Sequence, residues 1–145
     1  MRTIKFRGKN TFNNRWEYGS LVKEKDGALW IIPEDQMLIS EGGSFSAAHV
    51  SSETVGQFTG LKDKNGVEIY EGDVFTVNGV YPKVVKYIEE WLSFSVANID
   101  IITTPPMSGW PDKYIYQQLY PGWWKDFQNE IEVIGNIYDN PELLK

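Results

Sequence analysis

Apolar positions in this chain come in short runs that alternate with polar ones and are bounded by Gly, Asn, Asp and Pro, and no stretch sustains a 3.6-residue apolar period. The pattern predicts a mainly β protein. In TIKFRGK, Ile4 and Phe6 alternate with Lys5 and Arg7, and in RWEYGSLV, Trp16 and Tyr18 alternate with Arg15 and Glu17, so each strand should have one wet face. Ala28 to Ile32 is continuously apolar, as in a strand covered on both faces, and Pro33 ends it. Residues 33–52, with Gly42, Gly43 and several serines, lose the pattern and read as a loop.

Beyond that loop the punctuation is denser. Asp63-Lys64-Asn65-Gly66 has the composition of a hairpin turn with Asn and Gly at positive φ, Glu71-Gly72-Asp73 a second turn feeding a strand Val74 to Val77, and Asn78-Gly79 a third. Lys83 to Ile88 and Ser93 to Ile99 form a hairpin around Glu89-Glu90-Trp91. The prolines between Thr103 and Pro111 exclude regular structure, Asp112 is placed to cap a short helix through Leu119, and Pro121-Gly122 is placed to stop it. Trp123 and Trp124 then fall on an extended stretch, one facing in and one out. Ile131 to Tyr138 is a closing strand, and Asn140-Pro141-Glu142 starts a short C-terminal helical turn.

The glycines of residues 53–77 (Gly56, Gly60, Gly66, Gly72) raise the prospect of a phosphate cradle, which requires glycines that follow a strand and open a helix. Each turn here leads into another strand, so the glycines serve the turns.

Composition then narrows the chemistry. A chain of 145 residues without cysteine is one ordinary domain in length and has no disulfide, zinc-thiolate site or cysteine nucleophile. His49 is the single histidine, a loop residue without a partner ligand; no metal or cofactor motif is present, and no catalytic triad can be assembled. Glu68, Glu71 and Asp73, around the Gly72 turn, are the one set of carboxylates a hydrolase could use. The N-terminus lacks a secretory h-region and no apolar run approaches the roughly 20 residues of a membrane span, so a cytoplasmic protein is expected.

The net charge of -6 is unevenly spread. Residues 1–25 hold seven bases against two acids, and the remainder holds seven bases against eighteen. Arg2, Lys5, Arg7, Lys9 and Arg15 form a candidate basic face, suited to nucleic acid or to head-to-tail contact between copies of the chain. The densest aromatic stretch holds Trp110, Tyr114, Tyr116, Tyr120, Trp123, Trp124 and Phe127, a candidate interaction surface or a cap over the core. Lys113 and Lys125 stand against Asp112, Asp126 and the following Glu130 there, so no basic groove surrounds the rings, which favours a protein partner over nucleic acid.

IKFRGK with the following RWEYG, ETVGQFTGLKDKNGVEIYEGDV and IEVIGNIYDNPELL together resemble the YopX family, small proteins found mainly in bacteriophages and prophages. The resemblance implies an all-β core with a small SH3-like β-barrel preceded by a smaller N-terminal β part, and no established activity. We place that N-terminal meander and its loop at residues 1–52 and the barrel-like part at 53–145. The function expected is that of a non-catalytic phage or prophage accessory protein, a homo-oligomer or a binder of a host or phage protein. The alternatives are a nucleic-acid-associated module using the basic strands, and a hydrolase using the turn carboxylates.

Overall fold

A computed structural model describes residues 1–34, 46–103 and 109–145. The chain divides into two compact units, Met1–Phe58 and Thr59–Lys145.

In the first unit β1 (Phe6–Lys9), β2 (Trp16–Lys23), β3 (Leu29–Pro33), β4 (Ala48–Val50) and the start of β5 (Gly56–Lys62) lie side by side in the order β4-β3-β2-β1-β5. β1 to β4 form an antiparallel meander, and β1 also pairs antiparallel with β5. Among its described residues Ile31, Val50 and Phe58 are the buried apolar ones. β4 corrects the loop expected over residues 33–52: Trp30 pairs with His49 and Ile31 with Ala48. Gly42 and Gly43 lie outside the described residues.

The expected faces of β1 are also corrected. Ile4 is 61% exposed, whereas Lys5 and Arg7 are only 8% and 5% exposed. Register is the cause. Arg7 pairs with Tyr18 and Lys9 with Trp16, which puts bases and aromatics on one face. The Arg7 guanidinium lies 4.5 Å from the Trp16 ring centre and the Lys9 ammonium 5.4 Å from it, while Lys5 forms a 2.7 Å ion pair with Glu34. Long basic stems cover apolar rings while their charged heads keep polar or π partners, which offsets part of the cost of burying Lys5 and Arg7.

In the second unit β6 (Glu68–Tyr70) follows the hairpin turn, and β7 (Asp73–Val77), β8 (Val80–Ile88), β9 (Ser93–Asn98), β10 (Gln117–Gln118) and β11 (Ile131–Asn136) form a sheet of order β10-β9-β8-β7-β11. The closing strand returns to β7, with a bulge between Val133 and Gly135. No closed barrel is formed by the described strands; the architecture is mainly β, in two antiparallel sheets. Consecutive apolar residues explain its two-sided burial. Phe75 and Val85 join Ile69, Val96, Trp124 and Ile131 in one cluster, while their neighbours Val74 and Val84 join Ile99 in another.

The turns behave largely as their composition requires. Asn78 and Gly79 both have positive φ between paired Val77 and Val80. In the Asp63 turn only Gly66 does, at +82°. The Asp63 carboxylate accepts the Asn65 and Val67 N–H groups, which closes the turn without a left-handed Asn65.

Among the described residues three short α-helices complete this unit: α1 (Ile99–Thr103), α2 (Asp112–Ile115) and α3 (Pro121–Phe127). The helix expected from Asp112 to Leu119 ends at Ile115, and the extended stretch expected at Trp123-Trp124 is helical. Pro121 starts α3 instead of stopping a helix, because at the first helical position its missing N–H has no partner to lose. The terminal turn at Pro141–Leu144 is 3₁₀. Among the described residues no helix is long and apolar enough to cross a membrane.

Candidate functional site

The aromatic segment does not act as one surface. Its helix α3 carries Trp124 into the core, 5% exposed, with its ring 6.0 Å from that of Phe75 in an edge contact. Trp123 and Phe127, 5.4 Å apart, pack partly buried against the same cluster. Tyr116 belongs to the other cluster, where burial, reinforced by Asp112, pushes its phenol up to about 12. Trp110 and Tyr114 are exposed and touch each other edge to face at 6.4 Å. Tyr120 is 58% exposed.

Of the seven aromatics, the structure brings Tyr120 and Trp123 together along an open groove of about 600 Å³. The other walls come from residues the sequence did not single out: Trp91 in the β8–β9 turn, Val96 on β9, Gln117 and Gln118 on β10, and Lys83 on β8. Lys83 shares the face of Val85 by the two-residue period, so its stem crosses the sheet surface beside the core. Its ammonium donates to Asn98 Oδ1. Burial lowers the Lys83 ammonium below its usual 10.5, and Asp100 partly opposes this. A lysine inside an apolar strand was the legible signal; the two-residue strand β10 had none, because it exists only by pairing with Val96 and Ser95.

A groove of this kind can bind. Its rings offer apolar and π surface, its glutamines offer donors and acceptors, and Lys83 offers one positive charge.

The turn carboxylates are placed differently. Asp73 is buried and accepts the Tyr70 N–H at 2.8 Å, and Glu68 accepts the Tyr70 hydroxyl at 2.7 Å. Glu71 lines a smaller cavity of about 330 Å³ with Lys86, Tyr116 and Tyr138. Asp63, also buried, accepts the Val133 N–H at 3.0 Å and so ties the hairpin turn to β11. His49 Nδ1 lies 2.9 Å from the Thr11 hydroxyl, with the Trp30 ring 5.0 Å away. Among the described residues no three His, Cys, Asp or Glu side chains converge as metal ligands. The basic residues are divided: Lys5 and Arg7 are buried, Lys9 is half-buried on Trp16, and Arg2 and Arg15 are exposed.

No curated protein matches this chain. Among solved structures, protein EF1440 from Enterococcus faecalis is similar over 100% of both chains, with 23% identity and a TM-score of 0.55, a likeness that speaks for the fold alone. The family model described as YopX protein matches residues 5–145, extending the resemblance seen in the three motifs to nearly the whole sequence, and the chain belongs to the YopX family.

Proposed function

We propose that this chain is a non-catalytic binding module, a phage or prophage accessory protein of the cytoplasm, which engages a protein partner or a second copy of itself beside α3. The observation that supports this is the open groove in which Trp91, Tyr120 and Trp123 meet around a partly buried lysine. Aromatic residues at the rim and floor of a concave site are the usual anchors of protein interfaces. We read the β7–β9 meander, with β11 returning to β7, as an opened SH3-like arrangement that presents this groove.

The test is recovery of partners on immobilised full-length protein from infected or lysogenic cells, with Tyr120→Ala as the comparison. Tyr120 is exposed, so its substitution should leave the melting temperature unchanged while depleting the specific partner. Equal recovery on both proteins would remove the groove from the interface. The nucleic-acid reading ranks lower, because burial of Lys5 and Arg7 takes two of five bases away from any phosphate. The hydrolase reading also ranks lower, since Asp73 and Glu68 both serve Tyr70.

A further inference from the structure

The groove has a length, a charge and an open edge. Lys83 pairs with Asn98 and Ile88 with Ser93, so five residues of the hairpin separate the lysine from the turn that carries Trp91. At about 3.3 Å per residue this is about 16 Å, the length of a short extended peptide. Lys83 is the single cation among the described residues that line the groove, and Asp100 is close enough to act on it. One lysine suits a single acidic side chain, which must compete with Asp100, whereas a chain of phosphates calls for a row of bases. Among the described strands β10 is the last of its sheet, and the Leu119 N–H just after it turns inward to the Phe94 carbonyl. Strand alternation then turns the N–H and C=O of Gln118 outward, where an extended chain can pair with them.

We infer that the groove takes an extended segment of a partner protein, seating an aromatic or large aliphatic side chain against Trp91, Tyr120 and Trp123 and an acidic side chain against Lys83. This rests on the partner-binding function proposed above and specifies its ligand. The lysine is under-solvated by burial, so an incoming carboxylate restores to it what water no longer supplies. Asp100 competes for the same ammonium and sets the contact below its full strength.

The experiment pans a random displayed heptapeptide library on the immobilised full-length chain and follows one enriched peptide, fluorescein-labelled, by anisotropy. Enriched sequences should pair Trp, Phe, Tyr or Leu with Asp or Glu three to five positions away. Lys83→Gln, which keeps a donor for Asn98, should weaken the peptide about fivefold, and Asp100→Asn should tighten it. The peptide's Asp→Asn change should weaken binding to the wild type and add nothing in Lys83→Gln, as expected of a coupled pair. Melting curves of both variants establish that each is folded, and the opposite signs guard against a general loss of structure.

Enrichment without acidic residues, or an affinity indifferent to Lys83 and Asp100, overturns the acidic-ligand inference; loss on Tyr120→Ala in that case leaves the partner-binding reading standing. Failure to enrich any peptide overturns the inference, and equal partner recovery by Tyr120→Ala then overturns the broader reading too. Tighter, steeply salt-dependent binding of labelled oligo(dT) in the same groove would replace a peptide by a nucleic acid.

Discussion

At the scale of single residues, two glycines show how one backbone demand carries different consequences. Gly66 at +82° and Gly72 at +84° both hold left-handed backbone. A Cβ at Gly66 meets open space, whereas a Cβ at Gly72 would lie 2.7 Å from Tyr138 Cε2. Gly66→Ala should therefore cost only the left-handed penalty, about 1 kcal/mol, and Gly72→Ala clearly more, since Tyr138 must also move. Denaturant midpoints for the two variants measure this, and equal losses would reject the close approach. Tyr116 supplies a pH dependence. Its folded pKa of about 12 exceeds the ordinary 10.0, so the folded state holds the phenol proton more tightly. That contribution is complete below pH 10.0 and is lost as pH rises to about 12. Lys83 acts with the opposite sign, its lowered value adding stability as pH rises toward 10.5. Tyr116→Phe should flatten the stability decline above pH 10.0, measured by urea denaturation at stepped pH. An unchanged decline would exclude Tyr116 as its source.

At the scale of elements, α3 decides what the aromatic segment is. Consecutive residues on an extended strand face opposite ways, but on a helix they are about 100° apart, so both tryptophans can touch one core. Both do: Trp124 and Trp123 have ring centres 6.0 and 6.5 Å from that of Phe75. Trp124→Ala should cost about 3 kcal/mol or more, as for a deleted buried aromatic. Trp123→Ala should cost stability too, by less, because one side of the ring lines the groove. Thermal unfolding of the two variants checks this, and an unaffected Trp123→Ala would return the residue to a purely outward role. In place of one ring facing in and one facing out, Trp124 is buried and Trp123 is partly buried against the same cluster while also lining the groove.

For the whole molecule, the uneven charge leads to one expectation. Of the seven bases in residues 1–25, Arg2, Arg15, Lys23 and Lys25 are exposed, while the remainder of the chain carries eighteen acids. Attraction between such patches on separate copies is screened over about 8 Å at physiological salt. Light scattering should show association at low ionic strength that falls as salt is added, and a monomeric mass at low salt would end the oligomer proposal.

Local chemistry determined much of this protein unaided. Period-two patterning marked the strands, and Asn78-Gly79 and Gly66 marked turns, because each signal lies within a few adjacent residues. The tertiary structure alone decided the rest. Which face of β1 is covered depends on register against β2, and a shift of one residue reverses every side chain, so nothing within the strand itself could reveal that Lys5 and Arg7 are inside. The groove is the same case on a larger scale. Lys83, Trp91, Gln117 and Tyr120 are separated by up to 37 positions in sequence, and only the β8–β9–β10 pairings and α3 bring them to one place.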